Sequence, residues 1–179
     1  SLVGNSYGGA LALAMTIRYP ERVDKLVLMG AAGVVFELTE GLDKTWGYQP
    51  SIENMKQLLD IFAFDRSLVT DELAELRYKA SVRPGFHESF EKIFPAPRQQ
   101  WIEALASNEK DIQAICHETL IIHGRDDRVI PVENSVRFNR LINRSQLHVF
   151  GQCGHCTQIE HASRFNKLVS DFLAENPVE

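Results

Sequence analysis

Apolar and polar positions follow three different regimes along this chain. At the start, the short apolar run Leu2-Val3 meets Gly4-Asn5-Ser6-Tyr7-Gly8-Gly9. Ala10 to Met15 follows, rich in strong helix formers, and Pro20 stops that helix. Val23 to Met29 then carries Leu26-Val27-Leu28-Met29, the unbroken apolar run of a strand buried on both faces. Strand, helix and strand at these lengths predict a βαβ unit and a parallel sheet.

From Val34 to Asn108 the pattern changes. Helices are expected over Ser51 to Ala63, Thr70 to Ser81, Pro84 to Ile93 and Pro97 to Leu105. Ser51 and Thr70 are their plausible N-caps, and prolines at 50, 84, 95 and 97 punctuate the segment. With no strand-like run in it, the segment reads as a helical insertion, or lid. The third regime returns to alternation. Thr119 to His123 reads as a buried strand and Gly124-Arg125-Asp126-Asp127 as a turn. A helix from Pro131 to Ile142, a strand from Gln146 to Phe150 and a loop from Gly151 to His155 follow. A closing helix over Glu160 to Leu173 sets Phe165, Leu168, Val169 and Phe172 at helical spacing. The expected organisation is a core over 1–33, a helical lid over 34–108 and a second core segment over 109–179. The fold class is α/β, a mostly parallel sheet with helices on both faces.

Composition narrows the classes. Hydrophobic residues at 44% and charged residues at 24% are those of an ordinary globular protein. A net charge of -5 without a Lys/Arg cluster argues against nucleic acid. The longest apolar stretch, Leu26 to Phe36, is too short for a membrane span and holds Gly30 and Gly33. No secretory signal opens the chain, and three cysteines do not make a disulfide framework, so the expected compartment is the cytoplasm. Because Ser1 opens in what reads as a buried strand, the chain is expected to be the C-terminal part of a longer protein, its N-terminal strands missing.

Three features carry chemistry. Gly4-Asn5-Ser6-Tyr7-Gly8 matches G-x-S-x-G between a strand and a helix, a sharp turn that pushes a serine hydroxyl over the sheet. Small neighbours let the turn close, and the Tyr7 amide is left at a helix N-terminus where negative charge is favoured. A carboxylate on the 124–127 turn would orient an imidazole, and Asp127 is preferred to Asp126 on the G-x-x-D spacing. His155, in the loop after the last strand, can reach back toward the serine. Ser6, Asp127 and His155 stand in the order Ser…Asp…His, each after an expected strand, which is the order of α/β-hydrolase triads. The five other histidines have blander readings: His123 and His148 in or at strands, His87 and His161 on helices, and His117 just before a strand. Cys153-Gly154-His155-Cys156 offers zinc-type ligands, but they crowd four residues with no second pair, so neither a metal site nor a redox C-x-x-C is expected.

With the triad assigned, the whole chain resembles the meta-cleavage product hydrolases of bacterial aromatic degradation, and among them the 2-hydroxymuconate-semialdehyde hydrolases. The stretches that carry the resemblance include 4–10, Phe62-Ala63-Phe64-Asp65, 72–78, 123–127 and 147–155. The resemblance implies carbon–carbon bond hydrolysis in a 2-hydroxy-6-oxohexa-2,4-dienoate by a Ser-His-Asp triad without a cofactor. It implies that Asn5 and Arg77 hold the substrate's carboxylate and oxo/hydroxy end. It also implies a small-molecule substrate and a homo-oligomer. The family has Trp directly after the catalytic His, whereas this chain has Cys156, which implies a shifted or relaxed substrate preference. The family's second oxyanion donor comes from an earlier loop outside this chain, so the segment alone is expected to be inactive and poorly stable. The lid aromatics Trp46, Phe62, Phe64, Phe86, Phe90 and Phe94 divide between pocket lining and lid packing in a way the sequence leaves open. A carboxylesterase and a non-turnover hydrolase-fold receptor are the competing functions. A haloalkane dehalogenase is disfavoured, since its nucleophile is Asp.

Overall fold

The described residues form one four-stranded parallel sheet, in the order β1 (Leu2–Asn5), β2 (Lys25–Met29), β3 (Glu118–Gly124), β4 (Ser145–Phe150). The computed structural model describes residues 1–175, so the end of the expected 109–179 segment lies outside the described residues. Strand order equals sequence order, so every connection crosses over one face and every strand ends on the same side. Leu2 pairs Leu26, Leu26 pairs Thr119 and Thr119 pairs Ser145, which aligns the carboxyl ends.

The continuous apolar runs are buried on both faces, as their pattern requires. Leu26, Leu28 and Ile121 face Leu13 of α1 (Tyr7–Arg18) and Phe138 of α8 (Val132–Leu141). Val27, Met29, Leu120 and Ile122 face Phe165 and Phe172 of α10 (Ala162–Ala174). Each such side chain stabilises the fold by about 1.5–3 kcal/mol. β1 departs from the expected burial: it pairs only with β2 among the described residues, and Val3 is 52% exposed.

Between β2 and β3 the described chain is helical: α2 (Glu40–Trp46), α3 (Ile52–Phe62), α4 (Asp71–Ser81), α5 (Phe86–Ile93), α6 (Gln99–Leu105) and α7 (Glu109–Gln113). Ser51 accepts from the Asn54 amide at 3.0 Å and Thr70 from the Leu73 amide at 3.2 Å, the caps their sequence predicts. The short helices α2 and α7 lie where the sequence pattern predicts none, although Thr39 and Asn108 cap them by accepting from the Leu42 and Lys110 amides. The expected 84–93 helix starts at Phe86, because Gly85 is left-handed at φ 80°. The segment leaves and rejoins the core at one point, where the Ser107 amide donates to the Gly33 carbonyl at 2.9 Å.

The closing helix expected to begin at Glu160 is two helices. α9 (Thr157–Glu160) ends there, His161 breaks the helical path at φ -124°, and α10 begins at Ala162. Glu160 turns its carboxylate back to accept from the Gly154 amide at 2.7 Å.

Candidate active site

The four strand ends gather Ser6, Gly30, Asp127 and His155. Ser6 follows β1 and caps α1 at φ 53°, a left-handed conformation that costs a non-glycine residue roughly 1–3 kcal/mol. Backbone bonds hold it there. Its amide donates to Met29 at 2.9 Å, and its carbonyl accepts from Gly9 at 2.9 Å and Ala32 at 3.1 Å. Gly4 has no room for a methyl, which would run into the Gly8 carbonyl and the Gly9 Cα. Gly9 is equally confined, by Ala31. Gly8, the second glycine of the G-x-S-x-G pattern, has open space at its Cβ position, so Gly4 and Gly9 are the pair that closes the turn. Tyr7 is the first residue of α1, where an amide has no acceptor within the helix. Asn5 donates its amide to the Met29 carbonyl at 3.1 Å, which ties its side chain to the end of β2.

Asp127 and His155 are paired. His155 Nδ1 donates to Asp127 Oδ2 at 2.7 Å, and both side chains are buried. That bond fixes the tautomer and leaves the lone pair on Nε2. Asp127 Oδ1 accepts from the Val129 and Ile130 amides at 2.7 and 3.0 Å. Burial alone would raise the Asp127 carboxyl, but the His155 charge and the bonds from His123 and His155 outweigh it and hold the carboxyl well below the usual range. Asp126 does other work: its amide donates to the Cys153 carbonyl at 2.9 Å, binding the acid turn to the histidine loop.

Two contributors escaped the sequence reading. His123, treated there as a bland strand residue, is fully buried with Nε2 3.3 Å from Asp127 Oδ2 and 3.0 Å from the Ile130 carbonyl. A carbonyl only accepts, so Nε2 carries the proton, and Nδ1 accepts from Ser135 Oγ at 2.6 Å. The carboxylate is thus held by two imidazoles. The available signal was the spacing, with His123 and Asp127 four residues apart across one strand end. The second is Gly30, at φ 46°, whose added Cβ would lie 3.3 Å from both Asp127 Oδ2 and His155 Nδ1. No side chain fits behind the pair without crowding it.

The helical segment reaches the histidine loop. The Phe62 carbonyl accepts from the His155 amide at 2.8 Å, and the Phe62 ring lies 5.7 Å from the imidazole. Trp46 instead stacks on Phe94 at 4.2 Å inside a buried cluster, while Phe64 and Phe86 are exposed. Burial pushes the Cys156 thiol up to about 11, and the Arg77 guanidinium on α4 is near enough to oppose that rise. Burial, then the Glu160 carboxylate, pushes the Cys153 thiol up to about 12, so neither cysteine holds a thiolate near neutrality. An open depression of about 740 Å³ lies elsewhere, among Lys44, Lys56, Asp60 and Arg128. Its cations are ion-paired with Glu40, Asp71 and Asp60.

Residues 1–162 match the family model described as alpha/beta hydrolase fold. The chain is 68% identical over 173 residues to a 2-hydroxy-6-oxo-2,4-heptadienoate hydrolase of Pseudomonas putida F1, covering 97% of this chain and 63% of that protein. It is 67% identical over 174 residues to a 2-hydroxymuconate semialdehyde hydrolase of Pseudomonas sp. CF600, covering 97% and 62%. A solved structure of a meta-cleavage product hydrolase from Pseudomonas fluorescens IP01, a point mutant complexed with acetates, superposes with a TM-score of 0.95. It is 64% identical over 96% of this chain and 63% of that one. The chain therefore spans just under two thirds of the length of the relatives it matches.

Proposed function

The chain belongs to the α/β-hydrolase fold family, and on that premise we propose that it hydrolyses a carbon–carbon bond in a 2-hydroxy-6-oxohexa-2,4-dienoate, the ring-opened product of a catechol. The observation that carries the chemistry is the buried Asp127–His155 pair at 2.7 Å, on the same sheet end as the strained Ser6 turn. The names of the similar hydrolases supply the substrate class.

In this reading the dienol is first converted to its keto form. His155 Nε2 then takes a proton from Ser6 or from water, and the oxygen adds to the distal carbonyl. The Tyr7 amide, at the N-terminal end of α1, stabilises the oxyanion. The carbon–carbon bond breaks with its electron pair left on the dienoate fragment, which His155 protonates. The other fragment leaves as a carboxylic acid, after water opens the acyl-serine if Ser6 attacked. Asn5 and Arg77 hold the carboxylate and oxo/hydroxy end, α2 to α6 serve as the lid, and no cofactor takes part. Among the described residues no helix is long and apolar enough to cross a membrane. A cytoplasmic location and a homo-oligomeric assembly complete the proposal.

The test uses the protein at its full natural length, mixed with the yellow ring-cleavage product of catechol. Rapid bleaching by wild type, lost with Ser6→Ala, is the expected result. Brisk hydrolysis of a p-nitrophenyl ester without bleaching would make it an esterase and remove the roles given to Asn5 and Arg77. Serine labelling without turnover would make it a receptor.

Cys156 adjoins His155 and is partly buried, within electrostatic range of Arg77. A sulfhydryl there leaves more room than the indole found in the family. Cys156→Trp is expected to lower kcat/KM for products with bulky 6-substituents more than for the unsubstituted semialdehyde. Equal changes for both would remove Cys156 as a determinant of specificity.

A further inference from the structure

The histidine loop closes on itself and on the helical segment through one carboxylate. Glu160 Oε1 accepts from the Gly154 amide at 2.7 Å, directly before His155. Its Oε2 accepts from the Phe64 and Asp65 amides at 2.7 and 3.0 Å, directly after α3. One residue along, the His155 amide donates to the Phe62 carbonyl at 2.8 Å. Residues 62–65 and 154–155 are therefore fastened by four hydrogen bonds, three of them ending on Glu160. The approach is close enough that a Cβ on Gly154 would meet the Phe62 carbonyl, the Phe64 amide nitrogen at 3.0 Å and Glu160 Oε1 at 3.1 Å. Glu160 is also the last residue of α9, directly before the break in the helical path at His161.

We propose that Glu160 is a positioning residue that makes the His155 loop and the exit of α3 one unit, so that the base is held in place by the lid segment itself. It reaches no reacting atom and acts through the backbone of Gly154 and Phe62. Two bonds fix the imidazole ring: the 2.7 Å contact to Asp127 at Nδ1, and the anchoring of its own amide. Without Glu160, three amides lose a charged acceptor and the second anchor loosens. Displacing a base by about 1 Å costs on the order of 100-fold in rate.

The inference rests on Ser6 and His155 acting as nucleophile and base, and its experiment separates that reading from itself. In the full-length protein, the rate at which a fluorophosphonate labels Ser6 is measured for wild type, Glu160→Gln and Glu160→Ala, per molecule folded by circular dichroism. Labelling needs the base but no ring-cleavage product. Glu160→Gln keeps one carbonyl oxygen and can serve only one side of the clamp. The expected order is wild type, then Glu160→Gln slower by about tenfold, then Glu160→Ala slower by on the order of 100-fold. Labelling by both variants within twofold of wild type overturns the proposal, even if their melting temperatures fall. If Glu160→Ala does not fold, Glu160→Gln alone decides. A wild type that labels but does not bleach the dienoate loses the substrate reading and leaves this test intact. A wild type that does not label removes both.

Discussion

Asp127→Asn is expected to lower kcat by roughly 10,000-fold while the protein still folds. The carboxylate serves two sets of donors. Oδ1 takes the Val129 and Ile130 amides, and Oδ2 takes the rings of His155 and His123. An amide has one acceptor oxygen. If that oxygen stays with the two backbone amides, the new NH2 faces two ring N–H groups. His155 then reverses its tautomer, with the proton on Nε2, and can no longer take one from Ser6. Steady-state bleaching and fluorophosphonate labelling should fall together. Stability supplies a second readout. The folded carboxyl titrates below its ordinary value, so its ionised form adds stability that is complete above about pH 4 and is lost as pH falls further. The urea midpoint of the wild type should therefore drop more than that of Asp127→Asn between pH 7 and pH 3.

Gly124→Ala is the second large effect, and it acts on packing. Gly124 ends β3, and a methyl there would overlap the Gly154 carbonyl and lie 2.6 Å from the Cys153 carbonyl. Both obstacles are backbone and cannot rotate away. The histidine loop must move off the end of β3, which strains the Cys153–Asp126 bonds and separates His155 from Asp127. A loss of about 3 kcal/mol in urea unfolding is expected, with activity reduced well beyond the folded fraction. Wild-type activity per folded molecule would mean that the loop tolerates the shift.

The sheet and the chemistry were differently legible in the sequence. Buried runs such as Leu26 to Met29 announce strands directly, and Ser51 and Thr70 announce helix starts, because burial and capping are local. Ser6, Asp127 and His155 could be singled out because each follows a strand, and parallel strands bring their ends together whatever lies between them. What escaped depends on turn geometry, on backbone angles or on pairs distant in sequence. The role of His123 appears only when the turn folds Asp127 back over it. Gly30 is needed because Asp127 and His155 press against it from two other strands. Glu160 looks like an ordinary first-turn helix acid until its donors, the Phe64 and Asp65 amides, arrive from 96 and 95 residues away. Helices α2 and α7 are too short, at 7 and 5 residues, to display a period.

The single bond from Ser107 to Gly33 has a consequence for how such a protein diversifies. Everything from 34 to 106 departs from and returns to one spot on the sheet, as a cassette closed at its own base. Lengthening, shortening or exchanging the cassette leaves the strand register untouched, provided the new ends meet at that spot and Thr39 still donates to the Val129 carbonyl beside Asp127. What a replacement must also reproduce is the short 62–65 stretch that grips the histidine loop. Selection can therefore try many pocket shapes on one unchanging set of reactive groups.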